Sequence, residues 1–547
     1  MSFVSSLFAG KPDHPMFSVA EAARLLDDLP RDNPVKSLNE ISAWLDSVKD
    51  ASGFRPELRS EIVLLLDEAG QPFYTELLQL FLGEPHLQDF QGLKLWQGLH
   101  GYMQVLSEAY DICLHELQEK SIPADFSARL PVVCVRAMHT LAEQFKIEMM
   151  HYVDIGQQFW NRLFHCYNFS TAHQLAETMI FAYPRQTIHI SPQRELLRIM
   201  VLYESSLATL AQDQIEVGFR IASRMVSFFD FIDTPHPDCP YYLDLAQPGP
   251  PRLVPQGLHA TATMRFFGAT RAVSKVAEII AQHVYGTIQQ EQRFGSEFTP
   301  AGKLTVLKHM QLYWAKDHPY RLQERRVIST AVDVVHSFAT ISRLVTRMDI
   351  DNAANLSEKD AAMLKERADI NLVASEEAVD YVTEKWTITD LSLTGIGAII
   401  PKNAGAWVKI GDLVGLKAEH SPLWWTGVIR RLHTDARNSL HVGIEMLAKK
   451  PLSVWLRTLG KGVEKVSAWE SSSGSFDYDY LTVILLPDAN NSYANATMLM
   501  EPGGYVPDTI YEVMLGEKSR NIRLTGLLAE GEDYEQVSFQ WLGKTAT

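Results

Sequence analysis

Cysteine is scarce in this 547-residue chain: Cys113, Cys134, Cys166 and Cys239 are the only four, and no two form a C-x-x-C pair. That scatter excludes a disulfide framework and suits a reducing compartment. Basic charge is short as well. Fifty Lys and Arg face 66 Asp and Glu, a formal net charge of −16. A large electrostatic footprint on DNA or RNA is therefore excluded, though a local basic pocket for a small anion is not. No apolar run approaches the ~18 residues of a membrane-spanning helix. The opening "MSFVSSLFAG" lacks the basic start and apolar core of a secretory leader. These absences predict a cytoplasmic protein without a membrane span.

Catalytic signatures are missing too. "GSEFTPAGKLT" puts Gly295 and Gly302 at the wrong distance for a phosphate-binding loop, and Leu304 stands where a Ser or Thr would ligate magnesium. There is no G-x-G-x-x-G, H-E-x-x-H or G-x-S-x-G. "HPDC" offers His236, Asp238 and Cys239, but its proline spacing and missing fourth ligand favour a turn over a metal site. His151, in "MMHYVD", reads as a packed or surface histidine. "SFDYDY" clusters carboxylates inside a serine-rich stretch and reads as a solvated hinge. Nothing assembles a nucleophile, base and oxyanion stabiliser, so no enzyme, cofactor or metal is expected.

What is present is ordinary globular composition, 46% apolar and 21% charged, over a length that suggests roughly three to four domains. The first 230 or so residues read as successive helices. "SVAEAARLLDDL" opens with Ser18 three residues before Glu21, a capping-box pattern. Long segments such as "LKLWQGLHGYMQVLSEAYDICLHELQEK" repeat apolar residues at spacings of three and four. A proline cluster from Asp233 to Gly257 breaks this texture and holds a short strand-like piece, Tyr241 to Leu245. Helices are expected to resume from about Ala260 and again at "TPAGKLTVLKHMQLYWAKDH". From Arg326 β-branched residues nearly alternate, and from Trp386 strand-like runs dominate. Between them lies a charged helical insert.

Inside the β-rich part, "TITDLSLTGIGAII" carries Asp390, Ser392 and Gly395 in a D-x-S-x-x-G pattern. Upstream, "YRLQERRVISTAVDV" offers Arg321 and Arg325 in R-x-x-x-R, with Arg326 adjacent; downstream comes "SLHVGIEML". Arg343 and Arg347 also match R-x-x-x-R, so the spacing alone says little. The ordered combination resembles the PilZ domain, a small antiparallel barrel that binds the bacterial second messenger cyclic di-GMP. The resemblance covers about 130 residues, from Arg321 to Leu447 less the insert. It implies that Arg321 and Arg325 clamp phosphates and guanine, that Asp390 and Ser392 contact guanine edges, and that Gly395 permits close approach. The chemistry suits those residues. Arginine forks onto guanine O6 and N7 or onto phosphate, and a carboxylate accepts from amino and imino donors. Two registers stay open, Arg321/Arg325 and Leu322/Arg326, the second lacking one charge. The remainder resembles proteobacterial proteins that place a long helical region before such a barrel.

The expected fold class is thus α+β multidomain. An all-α bundle or solenoid over 1–235 precedes a Pro-rich strand/loop with further helices over 236–318. A PilZ-like antiparallel β-barrel over 319–468 follows, with its helical insert at about 340–384 leaving as a long loop. A second small β module over 475–547 is expected as a degenerate barrel. The expected function is a cyclic di-GMP effector whose helical region serves a protein partner, with a ligand-free adaptor as the alternative.

Overall fold

A computed structural model describes residues 13–83, 90–119, 122–184, 186–286, 294–317, 325–352, 382–401, 404–419, 421–435, 437, 439–458, 480–488, 492–515 and 518–542. The chain divides into two compact units, Met1–Tyr320 and Arg321–Thr547.

The first unit begins with eight helices among its described residues. They are α1 (Val19–Asp27), α2 (Pro34–Asp50), α3 (Pro56–Gly83), α4 (Phe90–Glu119), α5 (Leu130–Met150), α6 (Gln157–Ala172), α7 (Pro192–Tyr203) and α8 (Gln212–Met225). Ser18 caps α1 as its spacing predicts, its hydroxyl accepting the Glu21 N–H at 3.3 Å. Helix α5 is buried on nearly every side, as expected of a central bundle helix. Even its charges are inside. Lys146 lies 2.6 Å from Glu143 and 2.9 Å from Glu216. Burial works against ionised Glu143, but Lys146, His139 and Arg198 hold its carboxyl down to about 2.

A four-stranded sheet follows, in the order β1–β4–β2–β3, from β1 (Asp230–Ile232), β2 (Tyr241–Asp244), β3 (Arg252–Leu253) and β4 (Met264–Gly268). Strand β4 occupies residues where helix is expected to resume. Aromatic cross-strand pairing overrides the helical pattern there: Tyr241 stacks on Phe267 and Tyr242 tilts against Phe266, at centroid distances of 5.7 and 6.2 Å. Helix returns as α9 (Thr270–Val284) and α10 (Pro300–Trp314), which join the same apolar core as α1–α8.

The second unit holds two closed six-stranded barrels. The first uses β5 (Arg326–His336), β6 (Glu384–Leu391), β7 (Gly395–Ile400), β8 (Leu413–Ala418), β9 (Trp425–Thr434) and β10 (Leu440–Ala448), ordered β10–β7–β6–β5–β8–β9. Alternate residues are buried, including Val332, Val334, Trp386, Ile388, Ile396, Ala398, Val442 and Ile444. Period-two patterning thus sets an inner and an outer face. Strand β10, the "SLHVGIEML" segment, closes this barrel by pairing with both β7 and β9.

The second barrel comprises β11 (Leu452–Thr458), β12 (Tyr480–Leu486), β13 (Thr497–Met500), β14 (Ile510–Leu515), β15 (Lys518–Glu530) and β16 (Glu535–Trp541). It closes completely, as the first barrel does. Strand β11 lies before the boundary drawn at 468, yet it pairs with β12 and β14, so residues 452–458 group with the second barrel. Only Lys449, Lys450 and Pro451 separate it from β10.

The insert also differs from a loop excursion over its described part. Helix α11 (Phe338–Asn352) follows β5 directly. Its stripe of Ile341, Leu344, Val345 and Met348 packs in one cluster with Leu413, Trp424 and Val428 of the first barrel and Ile484, Leu486, Leu499 and Tyr534 of the second. The Asp533 carboxylate accepts the Phe338 N–H at 2.5 Å, satisfying an open donor at the helix start. Residues 353–381 of the charged insert and the serine-rich stretch before Tyr480 lie outside the described residues.

Candidate functional site

The D-x-S-x-x-G residues sit where β6 turns into β7 on the first barrel. Ser392 closes that turn. Its N–H donates to the Gly395 carbonyl at 2.8 Å, and its hydroxyl accepts the Gly395 N–H at 3.0 Å and donates to the same carbonyl at 3.2 Å. The Met446 N–H donates to the Thr394 carbonyl at 2.9 Å, tying the turn to β10. Gly395 does not adopt a left-handed φ. Its demand is for space, since an added Cβ would lie 3.3 Å from Ser392 Oγ and 4.0 Å from Arg325 Nη2.

A register shift between Ile388 and Asp390 breaks the β6–β7 ladder just before the turn. Such irregularities re-aim side chains, and Asp390 faces outward with its carboxylate bound by Arg325 Nη1. Thr389 Oγ1 donates to the other carboxylate oxygen at 3.3 Å. Both partners are part-exposed, at 31% for Arg325 and 24% for Asp390. A pair so placed adds only ~0–1 kcal/mol to stability and remains open to a ligand.

Register separates the arginines. Val327 lies opposite Asp390 and Arg326 opposite Leu391. Successive residues of a strand point to opposite faces, so Arg325 and Val327 share the face of Asp390 while Arg326 is directed away. Arg321 lies outside the described residues. Arg343 and Arg347 are on the exposed side of α11.

Two glycines absent from the sequence reasoning complete the surface. Gly397 lies opposite Asp390, Gly443 opposite Gly397, and Arg431 opposite Gly443. The row Val327–Asp390–Gly397–Gly443–Arg431 therefore crosses five strands of the outer face. A Cβ on Gly397 would come within 2.1 Å of Asp390 Oδ2, and one on Gly443 within 3.1 Å of Arg431 Cβ. Between Asp390 and Arg431 the floor carries no side chain of its own over about 14 Å, at ~4.8 Å per strand; the Asp390 carboxylate lies over buried Gly397, and Gly443 is part-exposed. Val327 and Leu393, 84% and 73% exposed, leave apolar surface at its edge. The face thus offers a carboxylate acceptor, a forked cation and apolar flanks, groups that can engage a base edge or a phosphate.

The sequence candidates elsewhere are structural. His236 accepts the Asp238 N–H at 3.2 Å and its carbonyl accepts the Cys239 N–H, so "HPDC" is a turn. His151 stacks on Trp96 at 4.1 Å, and burial pushes its imidazole down to about 4. No helix among the described residues is long and apolar enough to cross a membrane.

Comparison with known families finds three matches in chain order. Residues 20–235 match the N-terminal domain of the cyclic-di-GMP receptor FimW, 274–451 its middle PilZ domain, and 468–542 the FimW C-terminal β-barrel domain. No curated protein matches the chain. The helical region, the barrel carrying the Arg325–Asp390 face and the second barrel each have their counterpart, in order, and the chain belongs to the FimW family of cyclic di-GMP receptors.

Proposed function

We propose that this chain captures cyclic di-GMP on the outer face of the first barrel, over the floor of Gly397 and Gly443. The carrying observation is the meeting of Arg325 and Asp390 beside that floor. Asp390 holds the guanidinium in place and accepts from the N1–H and N2–H₂ edge of guanine. Arg325 offers its remaining donors to a phosphate or to guanine O6 and N7. Arg321, four residues earlier, supplies the second cation. The face reached by Arg325 favours this register over one using Arg326. Ser392 fixes the turn and keeps one lone pair for the ligand. No residue is assigned to bond-breaking, so the role is binding. Four buried cysteines, none bridged, suit a cytoplasmic location.

The helical unit is the output, recruiting a protein partner. Arg321 and Arg325 lie at the start of the second unit, where the chain passes from one unit to the other. Ligand capture biases that partner's docking provided affinity differs between two arrangements.

Titration calorimetry of cyclic di-GMP into the full chain tests the reading. Binding at micromolar Kd or tighter is expected. Arg325→Ala removes a charged hydrogen bond of ~1.5–3 kcal/mol, weakening affinity roughly 10- to 150-fold. Arg321→Ala behaves similarly, Asp390→Ala loses less, and Arg326→Ala stays near wild type. No heat up to about millimolar ligand, a binding free energy weaker than about −4 kcal/mol, would leave a ligand-free adaptor.

A further inference from the structure

We propose a divalent transition-metal site in the helical unit, formed by Asp111 and His115 of α4 and His165 of α6. Asp111 and His115 are four residues apart and share one face of α4. His165 comes across from α6. One ligand atom from each of the three can be chosen so that all lie within 4.8 Å of one another. Asp111 Oδ1 is 2.7 Å from His165 Nδ1, and His115 Nδ1 donates to the Asp111 backbone carbonyl at 2.9 Å, which leaves Nε2 as the nitrogen that His115 offers an ion. Ligands at ~2.0–2.1 Å on a tetrahedral ion lie about 3.3–3.4 Å apart, so the Asp111–His165 pair opens by roughly 0.6 Å to take one. The two imidazole rings are tilted by 38° with their centroids 3.7 Å apart.

The far side of His165 supports the assignment. His165 Nε2 is 3.2 Å from Gln118 Oε1, and Gln118 is seven residues beyond Asp111 on the same helix. The Gln118 amide oxygen and the Asp111 carboxylate both only accept, so His165 faces an acceptor at each ring nitrogen. At 2.7 Å, His165 Nδ1 and the Asp111 carboxylate must share a cation, either a proton or a metal. A ligating histidine whose other nitrogen donates to a fixed acceptor is the arrangement that orients metal ligands. Competing cations nearby are directed elsewhere: Lys49 and Arg162 both face Glu108.

Two imidazoles and one carboxylate select a borderline ion of the zinc class over magnesium or calcium, which prefer oxygen. Asp111 and His165 are part-buried at 23% and 19% exposure, whereas His115 is 59% exposed. The site thus opens to solvent on the His115 side, where water takes the fourth position. Such a site pins α4 to α6 when loaded.

The test uses the full chain stripped with a chelator, then titrated with zinc sulfate against a chromophoric competitor. One equivalent is expected to bind. His115→Ala and His165→Ala should each weaken it at least 100-fold, and Gln118→Ala by about 10- to 100-fold. His115 is exposed enough that its replacement leaves the fold intact, checked by circular dichroism. Cobalt substitution adds an independent readout. The expected spectrum has tetrahedral d–d bands without the sulfur charge-transfer band that binding at Cys113 or Cys166 would give. Zinc binding by the wild-type chain no tighter than by His115→Ala, or a cobalt–thiolate band, overturns the site and leaves a protonated His165–Asp111 pair.

Discussion

Gly397 contributes no functional group, yet it decides where Asp390 can be. With a Cβ position only 2.1 Å from Asp390 Oδ2, Gly397→Ala must swing that carboxylate off the face and break its pairing with Arg325. The expected result is a loss of cyclic di-GMP affinity of about tenfold or more, ~1.4 kcal/mol, with thermal stability nearly unchanged. Calorimetry on Gly397→Ala and on Gly443→Ala separates the two, since the second crowds Arg431 and spares Asp390. An unaffected affinity in Gly397→Ala would move the ligand away from Asp390. Asp390, Ser392 and Gly395 were legible in the sequence because one turn brings them together within six residues. Gly397 stood two residues further along and Gly443 inside "VGIE", but their role comes from cross-strand register, which no local pattern records. Ser392 was legible as a polar group; that its hydroxyl also closes the turn was not, because the Gly395 backbone groups it binds leave no mark in the sequence.

Helix α11 is the element whose place was least legible. Its apolar stripe at 341, 344, 345 and 348 has helical spacing, but nothing local says that two barrels supply the partner surface. Ile341→Ala removes a fully buried side chain and should cost ~2–5 kcal/mol, read as a lower denaturation midpoint of the second unit. A merely peripheral helix would show a change below ~0.5 kcal/mol. The same junction carries a pH response. Burial, with the Glu532 and Asp533 carboxylates of the second barrel, raises the Asp412 carboxyl to about 7 against the lowering effect of Lys409. A native carboxyl that titrates above its unfolded value favours the fold while protonated. Its stabilisation is complete below about pH 4 and is lost as pH rises through about 7. Asp412→Asn should flatten the stability–pH profile between about pH 4 and 7. A profile matching wild type would mean Asp412 ionises normally.

At the scale of the whole molecule, binding and unfolding are linked. A ligand at a hundredfold excess over Kd stabilises what it binds by ~2.7 kcal/mol. Scanning calorimetry of the full chain should show cyclic di-GMP raising the transition of the two-barrel unit. If the helical transition rises with it, the units are energetically coupled, as the proposed output requires; if it stays fixed, the helical unit is a passenger. The order of helical region, then barrel, then β module was legible because the hydrophobic period changes from 3.6 to 2 along the chain. The closure of the last module was not, because its first strand lies before a serine-rich stretch that reads as a boundary. That misplaced strand has a practical side. With three residues between β10 and β11 and a common apolar cluster behind them, cutting the chain near 450 would bare Val428, Leu413 and Trp424 to water. The barrels should therefore be inherited, transplanted and expressed as a pair, and a ligand sensor built from this protein should be excised ahead of Arg321, with both barrels kept.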